Sequence, residues 1–432
     1  MKTANELRNE LINGVYDQRL SALYCCDVTG AQKQAGRYLR VLDALSENFG
    51  EHAHAALFSA PGRTEIGGNH TDHQHGCVLC GSVSMDMIAA AGENGTGVIR
   101  LQSEGYAPLS VDIGDLSVQE PEKNTTASLV RGLLRAFSEK GANLYGLDIC
   151  VSSEVPKGSG ISSSAAFEVL IGNIFNTFFL KKEKALSAVE IARAGQFAEN
   201  VYFGKPSGLM DQMASSVGGV TAIDFKNPEN PVVRKIPFSL EKAGLALCLL
   251  DSGADHADLT AEYAAVPKEC SDVAALFGKE VLREVPEETF RAGLPKVRGK
   301  VPDRALLRAF HFYQDSARAQ KEADALEQEN IAEFLQLVNE SGDSSFEYLQ
   351  NITPAGETVH QEVALAIALC REALSGRGAV RVHGGGFAGT VQAFVPAESL
   401  PQFVSFVESV LGEGSCHVMA IRPEGGICLS EE

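Results

Sequence analysis

The sequence predicts a protein of two units in which strands and helices are mixed, and three observations carry that reading. The chain has 432 residues, more than one core ordinarily serves, so two units with separate cores are expected. Short apolar stretches bounded by turn residues read as strands through the first half, at 55–59, 78–90, 98–101, 109–113, 146–153 and 218–225. Residues 255–349 carry mainly helical spacing, and strand-like segments lie before them at 244–250 and after them at 379–383 and 390–395, the last two flanking a glycine cluster.

Composition narrows the function classes. Hydrophobic residues make up 44% and charged residues 22% of the chain, as in an ordinary globular protein. The 37 basic and 56 acidic side chains give a formal charge of −19, which argues against a non-specific nucleic-acid binder. The first residues contain no apolar export core and no run of 18 apolar residues occurs, so neither export nor a membrane span is expected and the cytoplasm is the predicted compartment. Ten scattered cysteines then read as free thiols, and Cys77 and Cys80, within an apolar segment, as packing residues.

Residues 1–50 are helical in spacing, with Leu7, Leu11, Val15 and Leu20 and then Tyr38, Leu39, Leu42 and Leu45 on apolar faces; the first part is expected to pack on the body as an appendage. The strand at 55–59 should end at the Pro61-Gly62 turn. Residues 63–76 follow, with three histidines, two carboxylates, an arginine and three glycines in fourteen positions. Such a stretch reads as a loop offering hydrogen-bonding groups to a polar ligand. His70, Asp72, His73 and His75 could alternatively ligate a metal, although their spacing matches no standard zinc pattern.

Residues 156–167, Pro-Lys-Gly-Ser-Gly-Ile-Ser-Ser-Ser-Ala-Ala-Phe, form a glycine-serine loop feeding a buried helix over 165–180. Unpaired N–H groups and the positive dipole end suit a phosphate chain, with the hydroxyls as further donors or a magnesium ligand. The spacing is not that of a P-loop, and a plain helix cap rich in serine is the simpler alternative. Glu199, near the end of a helix over 185–202, reads alone as a solvated flank. Asp211 lies among Leu209, Met210 and Met213 just after the loop 204–208; it is either a paired, buried functional carboxylate or a solvent-facing acid of a first helical turn. Residues 228–237 read as a connection and the charged run 318–327 as solvated surface. The cluster 384–389 is either a tight hairpin or a place where the backbone passes close to a phosphate.

Taken together, these islands resemble the three motifs of the GHMP kinases, closest to the galactokinase branch. Gly62 to His73 looks like Gly-Arg-x-Asn-Leu-Ile-Gly-Glu-His-Thr-Asp-Tyr, and Pro156 to Ala165 looks like Pro-x-Gly-x-Gly-Leu-Ser-Ser-Ser-Ala. Gly208 to Gln212 is similar to Gly-Ile-Met-Asp-Gln, and Gly384 to Gly389 to Gly-Gly-Gly-Phe-Gly-Gly. The resemblance runs in the family's order from about residue 36 to the C-terminus. It implies an α+β protein with the two-domain GHMP kinase fold, an N-terminal domain like ribosomal protein S5 domain 2 and a C-terminal α/β domain. The division expected is a helical extension over 1–35, a first domain over 36–240 carrying the sugar and ATP loops, and a second over 241–432.

The implied activity is transfer of the γ-phosphoryl of ATP, with Mg²⁺, to the anomeric hydroxyl of galactose. Carried over residue by residue, Asp211 is the implied base and Arg63 its cationic partner. Asn69, His70, Thr71, Asp72 and Tyr263 would bind the sugar. Ser103 and the run Gly158, Ser159, Gly160, Ile161, Ser162, Ser163 and Ser164 would bind ATP, and Ser164 and Glu199 would hold magnesium. Five positions depart from the pattern: Asn69 stands where Glu is usual, Glu65 for Asn, Gly67 for Ile, His73 for Tyr and His383 for Thr. Asn69 is expected beside the sugar's C6 substituent, so a related sugar such as galacturonate is the alternative substrate. A non-catalytic galactose and ATP sensor of the same fold is the alternative class.

Overall fold

The computed structural model describes residues 2–155, 160–205, 207–254 and 259–431. Its first sheet is built on β1 (Ala55–Gly67) and β2 (Cys77–Glu93), with β3 (Val98–Ser103), β4 (Leu109–Asp112), β5 (Leu147–Ser153), β6 (Val220–Asp224) and β7 (Val232–Ile236). The order is β1-β2-β5-β3-β4, with β6 on β2 and β7 beyond it. One long strand, β2, serves both arms: its first part pairs with β6 and its last part with β5. The second sheet holds β8 (Leu245–Asp251), β9 (Ala379–Val382), β10 (Thr390–Pro396) and β11 (Cys416–Met419) in the order β11-β8-β10-β9. The chain then returns, and β12 (Ile427–Cys428) pairs with β1.

Strand alternation explains the layers. Ala56 and Phe58 of β1 face a core made by α4 (Thr126–Glu139), α5 (Ser163–Phe179) and α6 (Ala188–Phe197). Ala55 and Leu57 face the opposite core, made by α1 (Ala4–Ile12), α2 (Asp17–Tyr24) and α3 (Val28–Phe49). The N-terminal helices therefore cover the back of β1, β2 and β5, and α3 runs through the boundary expected at residue 35. Arg37 of α3 and Arg422 near the C-terminus both pair with the fully buried Asp86 of β2, at 2.8 and 3.0 Å. A buried carboxylate left without such partners is strongly destabilising, so Arg37 ties α3 to the sheet, and the extension before it packs on the body as expected, with Leu7, Leu11 and Leu20 in the same core as Leu57 and Ile88.

Between the helices α7 (Met210–Val217) and α12 (Glu362–Leu374) the chain forms α8 (Thr260–Ala275), α9 (Glu287–Val297), α10 (Asp303–Glu327) and α11 (Ile331–Ser344). Ala319, Ala323 and Leu326 of α10 join Ile66 and Leu79 of the first sheet and Leu247 and Phe394 of the second in one core, which welds the two sheets together. Helices α12 and α13 (Leu400–Leu411) cover the other face of the second sheet. Among the described residues no helix is long and apolar enough to cross a membrane.

Three expectations change. Pro61 and Gly62 do not end the first strand, because the register against β2 shifts between Pro61 and Arg63 and pairing resumes to Gly67. Residues 228–237 hold the edge strand β7. The charged run 318–327 is only half solvated: Glu322 is fully buried on the face that α10 turns to β1, and both its oxygens lack a partner among the described residues. Gly67 makes that burial possible, since a Cβ there would lie 1.7 Å from a Glu322 oxygen.

Candidate active site

A cavity of about 980 Å³ opens where β1, the N-terminal ends of α5 and α7, α8 and the turn after β9 converge. Arg63 projects into it from β1. Its Nε donates to Asp211 Oδ1 at 2.7 Å and its Nη1 donates to the Gly160 carbonyl. Asp211 stands in the first turn of α7, a third exposed, and its second oxygen accepts from the Ser162 hydroxyl. Burial would raise this carboxyl, but the Arg63 charge, its hydrogen bond and the Ser162 hydroxyl outweigh that and hold it below the ordinary value of 3.8. Asp211 is thus paired and lines the cavity, although it also stands in a first helical turn, and at neutral pH it is an anion able to accept a proton.

Ser162 caps α5 in the left-handed region, with φ 58°, and leaves its hydroxyl free of the usual capping bond so that it serves Asp211 instead. Ser163 and Ser164 open the helix, Ile161 is buried beneath the loop, and Gly160 lines the cavity. Gly158 and Ser159 lie outside the described residues. Ser103 ends β3 beside Val151, at the end of β5 that leads toward this loop; it does not line the cavity.

Glu199 is buried in a π-helical turn, Ala198–Phe203, with Lys205 Nζ on one oxygen at 2.9 Å and the Ser207 hydroxyl and Gln212 Nε2 on the other, at 2.6 and 2.9 Å. It is not a solvated flank. Carboxylate and hydroxyl oxygens suit a hard divalent cation, and the Lys205 ammonium shows that this edge of Glu199 attracts positive charge. Gln212 also donates to Glu168 at 2.9 Å. Burial, then the nearby Glu199, push the Glu168 carboxyl well above its ordinary value.

At the other end His70, with φ 57°, donates from Nε2 to the Gly385 carbonyl at 2.9 Å, and burial, then the adjoining His73, lower its pKa. Asp72 lines the cavity packed directly against Gly208, where a Cβ would sit 2.0 Å from its Oδ2. Tyr263 of α8 donates to the Gly386 carbonyl at 3.0 Å. The glycine cluster after β9 is therefore a cavity wall that fastens both side chains. Among the described residues no group of three or more His, Cys, Asp or Glu is arranged to hold a metal, which removes support from the histidine metal site.

Two expected sugar contacts point elsewhere. Thr71 is fully buried and its hydroxyl donates to the Gly68 and Cys77 carbonyls, closing the turn. Asn69 is fully buried too. Its Nδ2 donates to Glu65 Oε1 and the Gly384 carbonyl, both at 2.7 Å, and its Oδ1 accepts from Asn351 Nδ2 at 2.8 Å. The Asn69 backbone is bound as well, by Asp315 and His311. With every polar atom engaged, Asn69 cannot turn to a ligand, and Glu65 lines the cavity in its place. His383 lies behind Gly160, accepting from the Glu65 N–H and bonded to Thr390 at 3.0 Å; burial, then Arg63 and Arg381, keep it neutral.

Residues 44–93 match the galactokinase galactose-binding signature, and residues 128–219 match the GHMP kinases N terminal domain. A galactokinase of Streptomyces coelicolor is 31% identical over 354 residues, 82% of this chain and 87% of that relative. The chain belongs to the galactokinase family. A galactokinase of Actinobacillus pleuropneumoniae is likewise 31% identical, over 82% of this chain and 89% of its own. The fold is that of the Lactococcus lactis galactokinase solved with galactose, with a TM-score of 0.77 at 22% identity over 89% of this chain and 98% of that one. The mevalonate kinase of Methanococcus jannaschii shares it more distantly, with a TM-score of 0.59 at 15% identity over 85% and 98%. This member of the galactokinase family is thus an ATP-dependent sugar kinase of α+β, GHMP-type fold. Against the galactokinase motif, Glu65 and Asn69 are an exchange of Asn and Glu between two positions whose side chains are bonded to each other, so two apparent departures are one.

Proposed function

We propose that the protein transfers the γ-phosphoryl group of ATP to the anomeric hydroxyl of galactose, giving galactose 1-phosphate. The observation that carries the chemistry is the Arg63–Asp211 pair at 2.7 Å on the cavity wall, with the Gly160 carbonyl and the Ser162 hydroxyl completing it. Asp211, kept ionised by Arg63, accepts the hydrogen of the attacking hydroxyl and fixes its direction. The loop ending at Ser164 and the N-terminus of α5 offer N–H and hydroxyl donors to the phosphates. Magnesium bound with ATP neutralises phosphate charge, and Ser164 and Glu199 would hold it. His70, Asp72 and Tyr263, which line the same cavity as Asp211, bind the sugar ring. The galactose-binding signature over 44–93 and the galactokinase relatives support the choice of sugar.

The test is release of ADP, coupled to a dehydrogenase signal, across galactose, glucose, galacturonate and N-acetylgalactosamine, with galactose expected to give the highest kcat/KM. Preference for galacturonate would move the substrate while keeping the chemistry. Tight binding of galactose and ATP without ADP release would make the protein a sensor instead.

A further inference from the structure

We propose that Glu65 is the specificity-determining acceptor of this site, taking a hydrogen bond from a hydroxyl of the sugar ring remote from the one addressed by Asp211. The inference rests on the substrate reading given above. Arg63 and Glu65 are two residues apart in β1, in unbroken register with Ser82 and Cys80, so both side chains leave the same face. Two residues of strand span about 7 Å, comparable to the width of a hexose with its hydroxyls. Of the three carboxylates on the cavity wall, Glu65, Asp72 and Asp211, two are paired with an arginine. Asp211 is paired with Arg63, and Glu65 with Arg381, at 2.8 Å.

Glu65 is held in one orientation. Arg381 Nη2 and Asn69 Nδ2 both donate to Oε1, at 2.8 and 2.7 Å. Arg381 is itself fully buried and anchored on the Ile66 carbonyl, and Asn69 by Asn351 and the Gly384 carbonyl. No bond to Oε2 is found among the described residues, and Glu65 lines the cavity, which leaves that oxygen to a ligand. An acceptor so braced from behind meets a hydroxyl already ordered, and at pH 8, where the carboxyl is mostly ionised, it accepts without being able to donate. A merely structural partner of Arg381 would need no place on the cavity wall.

The orientation also defines the test. In Glu65→Gln the amide oxygen must keep the position that accepts from Arg381 and Asn69, so an NH₂ donor replaces the charged acceptor at the cavity. The measurement is kcat/KM at pH 8 for galactose and for its 2-, 3-, 4- and 6-deoxy analogues, in the wild type and in Glu65→Gln. One analogue should lose about tenfold to a hundredfold in the wild type, as expected for one hydrogen bond to a charged group. Glu65→Gln should lose a similar factor on galactose and discriminate against that analogue by no more than about threefold. Glu65→Asp, which keeps the charge on Arg381 but withdraws the carboxylate by one methylene, should show the same coupling and serves where the Gln variant does not fold. Equal losses on galactose and every analogue would overturn the assignment of Glu65. A wild type that phosphorylates none of these sugars would overturn the substrate reading itself.

Discussion

The two ends of the cavity carry the same chemical unit, a carboxylate paired with a buried arginine, yet they hold it differently. At Asp211 the carboxylate is a third exposed, and Arg63 with the Ser162 hydroxyl keeps it below its ordinary pKa. At Glu65 burial dominates and lifts the carboxyl to about 7 in spite of Arg381, Arg63 and Asn69. In the proposed reaction the group that accepts a proton, Asp211, is kept ionised by its arginine partner, whereas the group proposed to orient the sugar, Glu65, sits deep in a braced network. The first arrangement puts its effect into kcat and the second into selectivity and stability.

Removing the Asp211 charge should give the largest effect. Asp211→Asn keeps the shape and should lower kcat by about two to four decades, the range for loss of a general base, with ATP binding nearly unchanged and the thermal midpoint lowered because the buried Arg63 loses its counter-charge; single-turnover and binding measurements together check it. A variant that turns over like the wild type would remove the contrast between the two ends.

At the other end Asn69→Glu should act first on folding. The new carboxylate would face the Glu65 carboxylate and the Gly384 carbonyl, both of which now accept from the Asn69 amide. A buried charge without a partner costs about 3–5 kcal/mol, so urea unfolding should show a loss of that order before any change in sugar preference is read. Unchanged stability would mean that position 69 reaches solvent or ligand after all.

Glu322→Gln should give a smaller and opposite change. Burial raises the Glu322 carboxyl well above its ordinary 4.5, and Asp315 and Glu65 raise it further, against Arg381 and Arg318. The unfolded chain therefore ionises first, and wild-type stability declines as pH rises above about 4.5. Glutamine does not titrate, so the variant's melting temperature should gain on the wild type between pH 5 and 8, relative to their difference at pH 4. A pH-independent difference would contradict a neutral buried acid beneath β1.

How much of this could be read beforehand follows from how local each feature is. The glycine-serine loop, Arg63, His70, Asp72 and Asp211 stand in compact motifs whose residue types declare their chemistry; Gly160, Arg63, His70, Asp72 and Asp211 line the cavity and Ser162 braces its acid. Glu65 was hidden because Pro61-Gly62 looked like the end of a strand. Had β1 been carried through the bulge, alternation from Arg63 would have placed Glu65 on the same face. Asn69 was misjudged for another reason: its partners Gly384 and Asn351 lie 315 and 282 residues away in sequence, and no local pattern announces them. Glu322 looked solvated within a charged run because only the packing of α10 against Gly67 selects which of those residues go inward.

The most direct measurement is the identity of the product. Incubated with MgATP and galactose, the wild type should yield one equivalent of ADP per sugar, and ³¹P and ¹³C NMR should show the phosphate on the anomeric oxygen, coupled to H1. Phosphate on any other hydroxyl, or ADP released at the same rate without sugar, would contradict an attack directed by Asp211 on the anomeric hydroxyl of galactose.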